Sequence, residues 1–210
     1  MKNTNFLLIL ILFFSFFYSN ANDIPDDTEY YNKGINLYKN AEFDDAFIIF
    51  YNLSEKGDTD AQFNITNMYS GGVGTPQNFY DALKWGWLCA LGGEKKCFKK
   101  IENLKLKLDE KSLAKLTLEI SEFLENRLYK NQDISYALRL GFWYEKFSTE
   151  IDLEKAYIWY SVAVTGGLYK AMQNRNNVGQ KIESETIIKL QQKASKIYSE
   201  IKYFGDRKGG

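Results

Sequence analysis

Between Ala61 and Gly93 the chain spells a helix, a glycine turn, a second helix and a glycine stop, and few folds accommodate that unit. Ala61, Ile65 and Tyr69 fall at i, i+4 and i+8, which places them on one helical face. Ala82, Trp85 and Cys89 form the matching face of the second helix. The small side chains of Ala61 and Ala82 let the two helices approach closely. Gly71 to Gly74 are expected to supply the positive φ angles of a tight turn, and Gly92-Gly93 end the second helix.

The pattern returns further along. Leu140-Gly141 and Tyr144 match Ile65-Thr66 and Tyr69, while Ala156, Trp159, Ala163 and Gly166-Gly167 match Ala82, Trp85, Cys89 and Gly92-Gly93. The turn between Tyr144 and Ala156 is one residue shorter and lacks the glycines. Similarity continues beyond each glycine pair: Leu104, Leu108, Leu113, Leu116, Ile120 and Phe123 pair at constant offset with Val178, Ile182, Ile187, Leu190, Ala194 and Ile197. Self-similarity at a period of about 75 residues, over roughly 61–128 and 136–203, signals stacked supersecondary units. An earlier unit carries Gly34, Leu37, Phe43, Ala46, Phe50 and Gly57, with helices expected over Tyr30–Asn40 and Asp44–Lys56. No stretch sustains period-two alternation. The expectation is an all-α solenoid of about ten helices in antiparallel pairs, from Asp27 to about Phe204.

The Ala61–Gly93 segment resembles the Sel-one-like repeat, a relative of the tetratricopeptide repeat. Ala61, Ile65, Tyr69, Gly72, Val73, Asp81, Ala82, Trp85, Ala90 and Gly93 occupy the matching places. Thr66 stands where the family prefers glycine, and slightly wider helix spacing is expected there. The resemblance implies a non-enzymatic adaptor that binds another protein or peptide. It also implies that the first helix of each unit lines a concave surface. Tyr31, Ile35 and Tyr38 would face it in the first unit, Phe63, Asn67 and Ser70 in the second, and Leu138, Phe142 and Glu145 in the third. Solenoid curvature could equally bury them. Some cysteine-rich relatives handle β-lactams, which leaves an enzyme as the alternative, beside a structural part of a cell-envelope machine.

The N-terminus reads as a secretory signal. Lys2 precedes an apolar run from Phe6 to Tyr18, and Ser19-Asn20-Ala21 offers a cleavage site after Ala21. The run of about thirteen residues is short of the roughly twenty that span a bilayer. Export, to a bacterial periplasm or beyond, is expected, with a repeat domain over 22–204, a disordered tail over 205–210 and no stable membrane insertion. The two cysteines, Cys89 and Cys97, lie eight residues apart across Gly92-Gly93. A helical hairpin would face their sulfurs across a repeat seam, export favours oxidation, and the secreted branch of the resembled family staples repeats in this way. Two small buried thiols in alanine positions remain the alternative.

Lys and Arg number 27, Asp and Glu number 27, and there is no histidine. Without a basic stripe there is no footprint for nucleic acid. Without histidine there is no Ser-His or Cys-His nucleophile and no imidazole metal ligand, and no cofactor or metal is expected. Gly71-Gly72-Val73-Gly74 is followed by no Lys-Ser/Thr, so it is no phosphate loop. Ser112-Leu113-Ala114-Lys115 has a Ser-x-x-Lys spacing, but Thr186 and Lys189 recur at the same repeat position.

Overall fold

The computed structural model describes residues 26–206, so the expected signal segment and residues 207–210 lie outside the described residues. Ten α-helices follow one another, and no strand occurs among the described residues. They are α1 (Asp27–Lys39), α2 (Phe43–Lys56), α3 (Thr59–Gly71), α4 (Phe79–Leu91), α5 (Lys96–Lys105), α6 (Glu110–Asn131), α7 (Ser135–Phe142), α8 (Leu153–Thr165), α9 (Met172–Gly179) and α10 (Ser184–Asp206). A π-helical turn, Trp143–Phe147, extends α7, and a 3-10 turn, Tyr169–Ala171, precedes α9. The first two helices start within three residues of their expected positions. Gly205 and Asp206, expected in the tail, belong instead to the end of α10.

Local chemistry sets the boundaries. The carboxylates of Asp58, Asp109 and Asp152 accept hydrogen bonds from the amides of Ala61, Ser112 and Lys155, at 2.7, 2.7 and 2.9 Å, and so cap α3, α6 and α8. The Asn78 Oδ1 caps α4 by accepting from the amides of Tyr80 and Asp81. At Gly74 (φ 67°) an added Cβ would lie 2.3 Å from the Phe43 carbonyl oxygen, so only glycine lets this turn settle onto the start of α2.

Each helix packs mainly on its neighbours in sequence, the arrangement of a solenoid. Two helices depart from this order: α6 packs on α7 and α4 rather than on α5, and α10 packs on α8 rather than on α9. Arg127 of α6 reaches Glu55 of α2 (2.5 Å), which ties the third pair to the first. The centre of the core is a pair of buried indoles. Trp87 of α4 and Trp143 of the π turn meet edge to face at 5.1 Å, and the Trp143 Nε1–H donates to the Ser121 hydroxyl at 3.0 Å. Trp85 and Trp159 are buried as well.

Ala61, Cys97 and Ala171 occupy the same repeat position and all are fully buried. Cys89 and Cys97 form a disulfide, with Cα atoms 6.1 Å apart, joining the end of α4 to the start of α5. Residues paired at the repeat offset share their environment. Leu104 with Val178, Leu116 with Leu190 and Ile120 with Ala194 are buried, whereas Leu108 with Ile182 and Phe123 with Ile197 are partly buried.

Candidate functional site

The first helices of the first two units enclose a cleft of about 160 Å³, lined by Ile35, Tyr38, Phe50, Asn64, Asn67 and Met68. Ile35 and Tyr38 lie one turn apart on α1, and Asn64 and Asn67 lie one turn apart on α3, so each helix contributes one ridge. Tyr38 is 42% exposed, its ring edge-to-face with Phe43 at 5.1 Å. Tyr31 sits beside the cleft. Its ring packs 5.6 Å from that of Phe50, and its hydroxyl accepts from Asn64 Nδ2 at 3.1 Å. Burial pushes the Tyr31 pKa up, and the Asn64 hydrogen bond opposes that shift. Asn67 Nδ2 donates to the Phe63 carbonyl at 3.0 Å. The amide N–H groups of both asparagines are thus engaged, while their carbonyl oxygens accept no hydrogen bond from the described residues.

The other residues expected on this surface lie elsewhere. Phe63 is half-buried and carries a cationic cover: Lys96 Nζ stands 4.5 Å above its ring and is held by Asp60 at 2.6 Å and Glu94 at 3.8 Å. The hydrogen bond to Asp60 raises the Lys96 pKa. Leu138 is 9% exposed and belongs to the core, which corrects its placement on an open groove. Phe142 packs edge-to-face on Tyr160 at 5.7 Å, and Glu145 accepts from the Tyr160 hydroxyl at 2.5 Å with its own side chain 15% exposed. The π turn explains the Glu145 displacement. Its bond from the Ser148 amide to the Trp143 carbonyl spans five residues rather than four, which rotates the following side chains relative to a regular helix. Leu138 and Phe142 are therefore not brought together with Tyr38 and Asn67.

A second and larger cleft, about 900 Å³ and open to solvent, lies between α6, the turn before α8 and the turn before α10. Leu118 (65% exposed) and Ile151 (54% exposed) face into it. Glu150, Glu154 and Glu183 also line it, and none of them makes an ion pair with a described residue. Lys155 is occupied by Asp152 at 3.3 Å and lies over the Tyr144 ring at 5.0 Å, which leaves Lys181 as the cation at this edge. The sequence signal for this cleft is the shortened, glycine-free turn after Tyr144. The turn itself is legible, but the overhang of α6 that makes the opposite wall is not.

Ser112 and Lys115 have structural duties. The Ser112 amide completes the Asp109 cap, and Lys115 lies 5.6 Å over the Tyr80 ring and 3.6 Å from Glu119. Among the described residues there is no group of three His, Cys, Asp or Glu side chains that could hold a metal ion, and no helix long and apolar enough to cross a membrane.

No protein-family model matches the chain. No curated protein matches it either. Among solved structures, it is similar to a protective antigen of uropathogenic Escherichia coli that displays an SLR fold, at 15% identity and a TM-score of 0.34. That similarity covers 86% of this chain and 48% of the antigen, so the chain spans about half the antigen's length.

Proposed function

We propose that this protein is an exported, non-enzymatic helical-repeat adaptor that binds an extended segment of another protein in the α1–α3 cleft. The observation that carries the reading is the pairing of an exposed aromatic and apolar ridge, Tyr38 with Ile35, with two amide side chains whose carbonyl oxygens are unused. Such a cleft offers apolar contact for side chains and acceptors for the backbone N–H groups of a bound strand. Export rests on the Lys2-led apolar run and on the Cys89–Cys97 disulfide, a bond that persists in oxidising compartments. The disulfide also fits the secreted, cysteine-containing branch of the resembled repeat family.

A photo-crosslinking residue at Tyr38, in protein made in the source cell, is expected to trap a protein partner, and Asn67→Ala should reduce the yield. The same residue at the exposed Leu106 should trap none. Equal labelling from both positions would remove the α1–α3 cleft as the binding surface. The mature N-terminus should read Asn22, and recovery of the exported protein with Met1 intact would contradict signal cleavage.

A further inference from the structure

The cleft beside α6 occupies the place that the glycine turn fills one unit earlier. Leu118 stands 75 residues after Phe43, which begins α2. In the earlier unit, eight residues separate Tyr69 from the cap Asn78, and Gly74 brings that turn against the Phe43 carbonyl. In the later unit, seven residues separate Tyr144 from the cap Asp152. The anchoring bonds at the two turn ends are the same: Asn78 N to Tyr69 O, and Asp152 N to Tyr144 O, each 2.9 Å. What differs is the span between them, which is shorter and lacks glycine, and the opposing helix. α6 begins at Glu110, two turns before Leu118, and so overhangs the gap. The space is left open with Leu118 and Ile151 on its walls and three carboxylates without ion-pair partners on its rim.

We propose that this cleft binds an extended peptide segment in which apolar and basic side chains alternate. The earlier unit fills the equivalent space with non-helical chain that ends in extended backbone at Asn78, so a non-helical, extended segment fits it. Successive side chains of an extended segment point to opposite sides. One set would cover Leu118 and Ile151, and the other would meet Glu150, Glu154 and Glu183. Two exposed apolar residues in one cleft leave apolar surface for a partner to bury, and the unpaired carboxylates set the sign of that partner's charge and its salt dependence. This site is separate from the α1–α3 cleft, and either can fail without the other.

The test uses the purified chain with its disulfide intact and two fluorescein-labelled heptapeptides, Lys-Val-Lys-Leu-Lys-Val-Lys and its counterpart with Glu at every Lys. Anisotropy titrations are expected to show the lysine peptide binding at least about tenfold more tightly than the glutamate peptide, with affinity falling as salt rises. The double variant Leu118→Asp, Ile151→Asp should weaken lysine-peptide binding at least about tenfold. Both side chains are exposed, so the circular dichroism spectrum should not change. Glu150→Lys with Glu183→Lys should reverse the preference, and Tyr38→Ser should leave it unaltered. Equal binding of the two peptides, no binding of either, or lysine-peptide binding that survives the Leu118/Ile151 variant or is lost in Tyr38→Ser would each overturn the proposal.

Discussion

Where the paired helices cross, two units place their bulk on opposite helices. In the second unit, buried Thr66 on α3 faces Gly86 on α4; in the later unit, Gly141 on α7 faces Tyr160 on α8. Thr66 meets no side chain across the crossing, because Gly86 stands opposite it. An added Cβ at Gly86 would sit at an ordinary 3.6 Å from the Thr66 Cγ2, whereas one at Gly141 would sit 2.4 Å from the Tyr160 ring. Gly141→Ala is therefore expected to cost about 1–3 kcal/mol. Gly86→Ala should be neutral or gain up to about 1 kcal/mol from helix propensity. Urea denaturation of both variants checks this, and equal losses would contradict the size exchange. Tyrosines set the alkaline limit. Burial, then the Glu145 hydrogen bond, pushes the Tyr160 pKa up, and burial, then Asp81, pushes Tyr69 up to about 12. Above the ordinary tyrosine pKa of 10.0, the unfolded chain loses these protons while the folded one keeps them, so stability falls as pH rises. For buried Tyr160 the slope approaches about 1.4 kcal/mol per pH unit. Tyr160→Phe should flatten the decline of the thermal midpoint between pH 10 and 12, and an unchanged decline would sink the assignment.

Among the elements, α5 shows how little covalent help the fold uses. The disulfide ties its start to the end of α4, while Ile101 and Leu104 are buried and Phe98 stacks on Phe147 at 5.7 Å. Closing so short a loop removes unfolded-state entropy worth roughly 2–3 kcal/mol. Cys89→Ala with Cys97→Ala should lower stability by about that amount and leave the helical signal of the folded state intact. A collapse of helical content would show that α5 depends on the bond. The cysteine positions were readable as small residues in a repeat register, but pairing needed the hairpin geometry that brings their Cα atoms to 6.1 Å. The π turn was not readable, since Trp143-Tyr144-Glu145 continues the helical spacing of α7. Packing decides it: Trp143 is buried against Trp87, and Glu145 is turned toward Tyr160.

For the molecule as a whole, the two long helices α6 and α10 occupy the same repeat position with different outer faces. Leu124 and Leu128 of α6, which packs on both α4 and α7, are fully buried. Their counterparts on α10 are half-buried Tyr198 and exposed Lys202, with the ammonium 6.0 Å above the ring. A polar outer face of this kind keeps a repeat stack from associating through its end. Tyr198→Leu with Lys202→Leu restores the α6 pattern and is expected to produce concentration-dependent self-association in sedimentation velocity. A monomer at every concentration would mean that this face does not control association.

Periodicity, glycine punctuation and the recurrence of Trp85 as Trp159 determined by themselves that the described chain is helical, paired and stacked, because burying one stripe per helix admits few other arrangements. They also placed the starts of α1 and α2 to within three residues. The sequence did not determine which off-register aromatics face solvent. Tyr38 lies open, Phe63 is covered by Lys96, and Leu138 is buried, although all three were read on one concave surface. That outcome depends on how helices distant in sequence pack together and on the π turn in the chain after α7. The open cleft beside Leu118 likewise exists only because a turn shortened by one residue meets a helix lengthened by two turns, and these segments come together only in the folded chain.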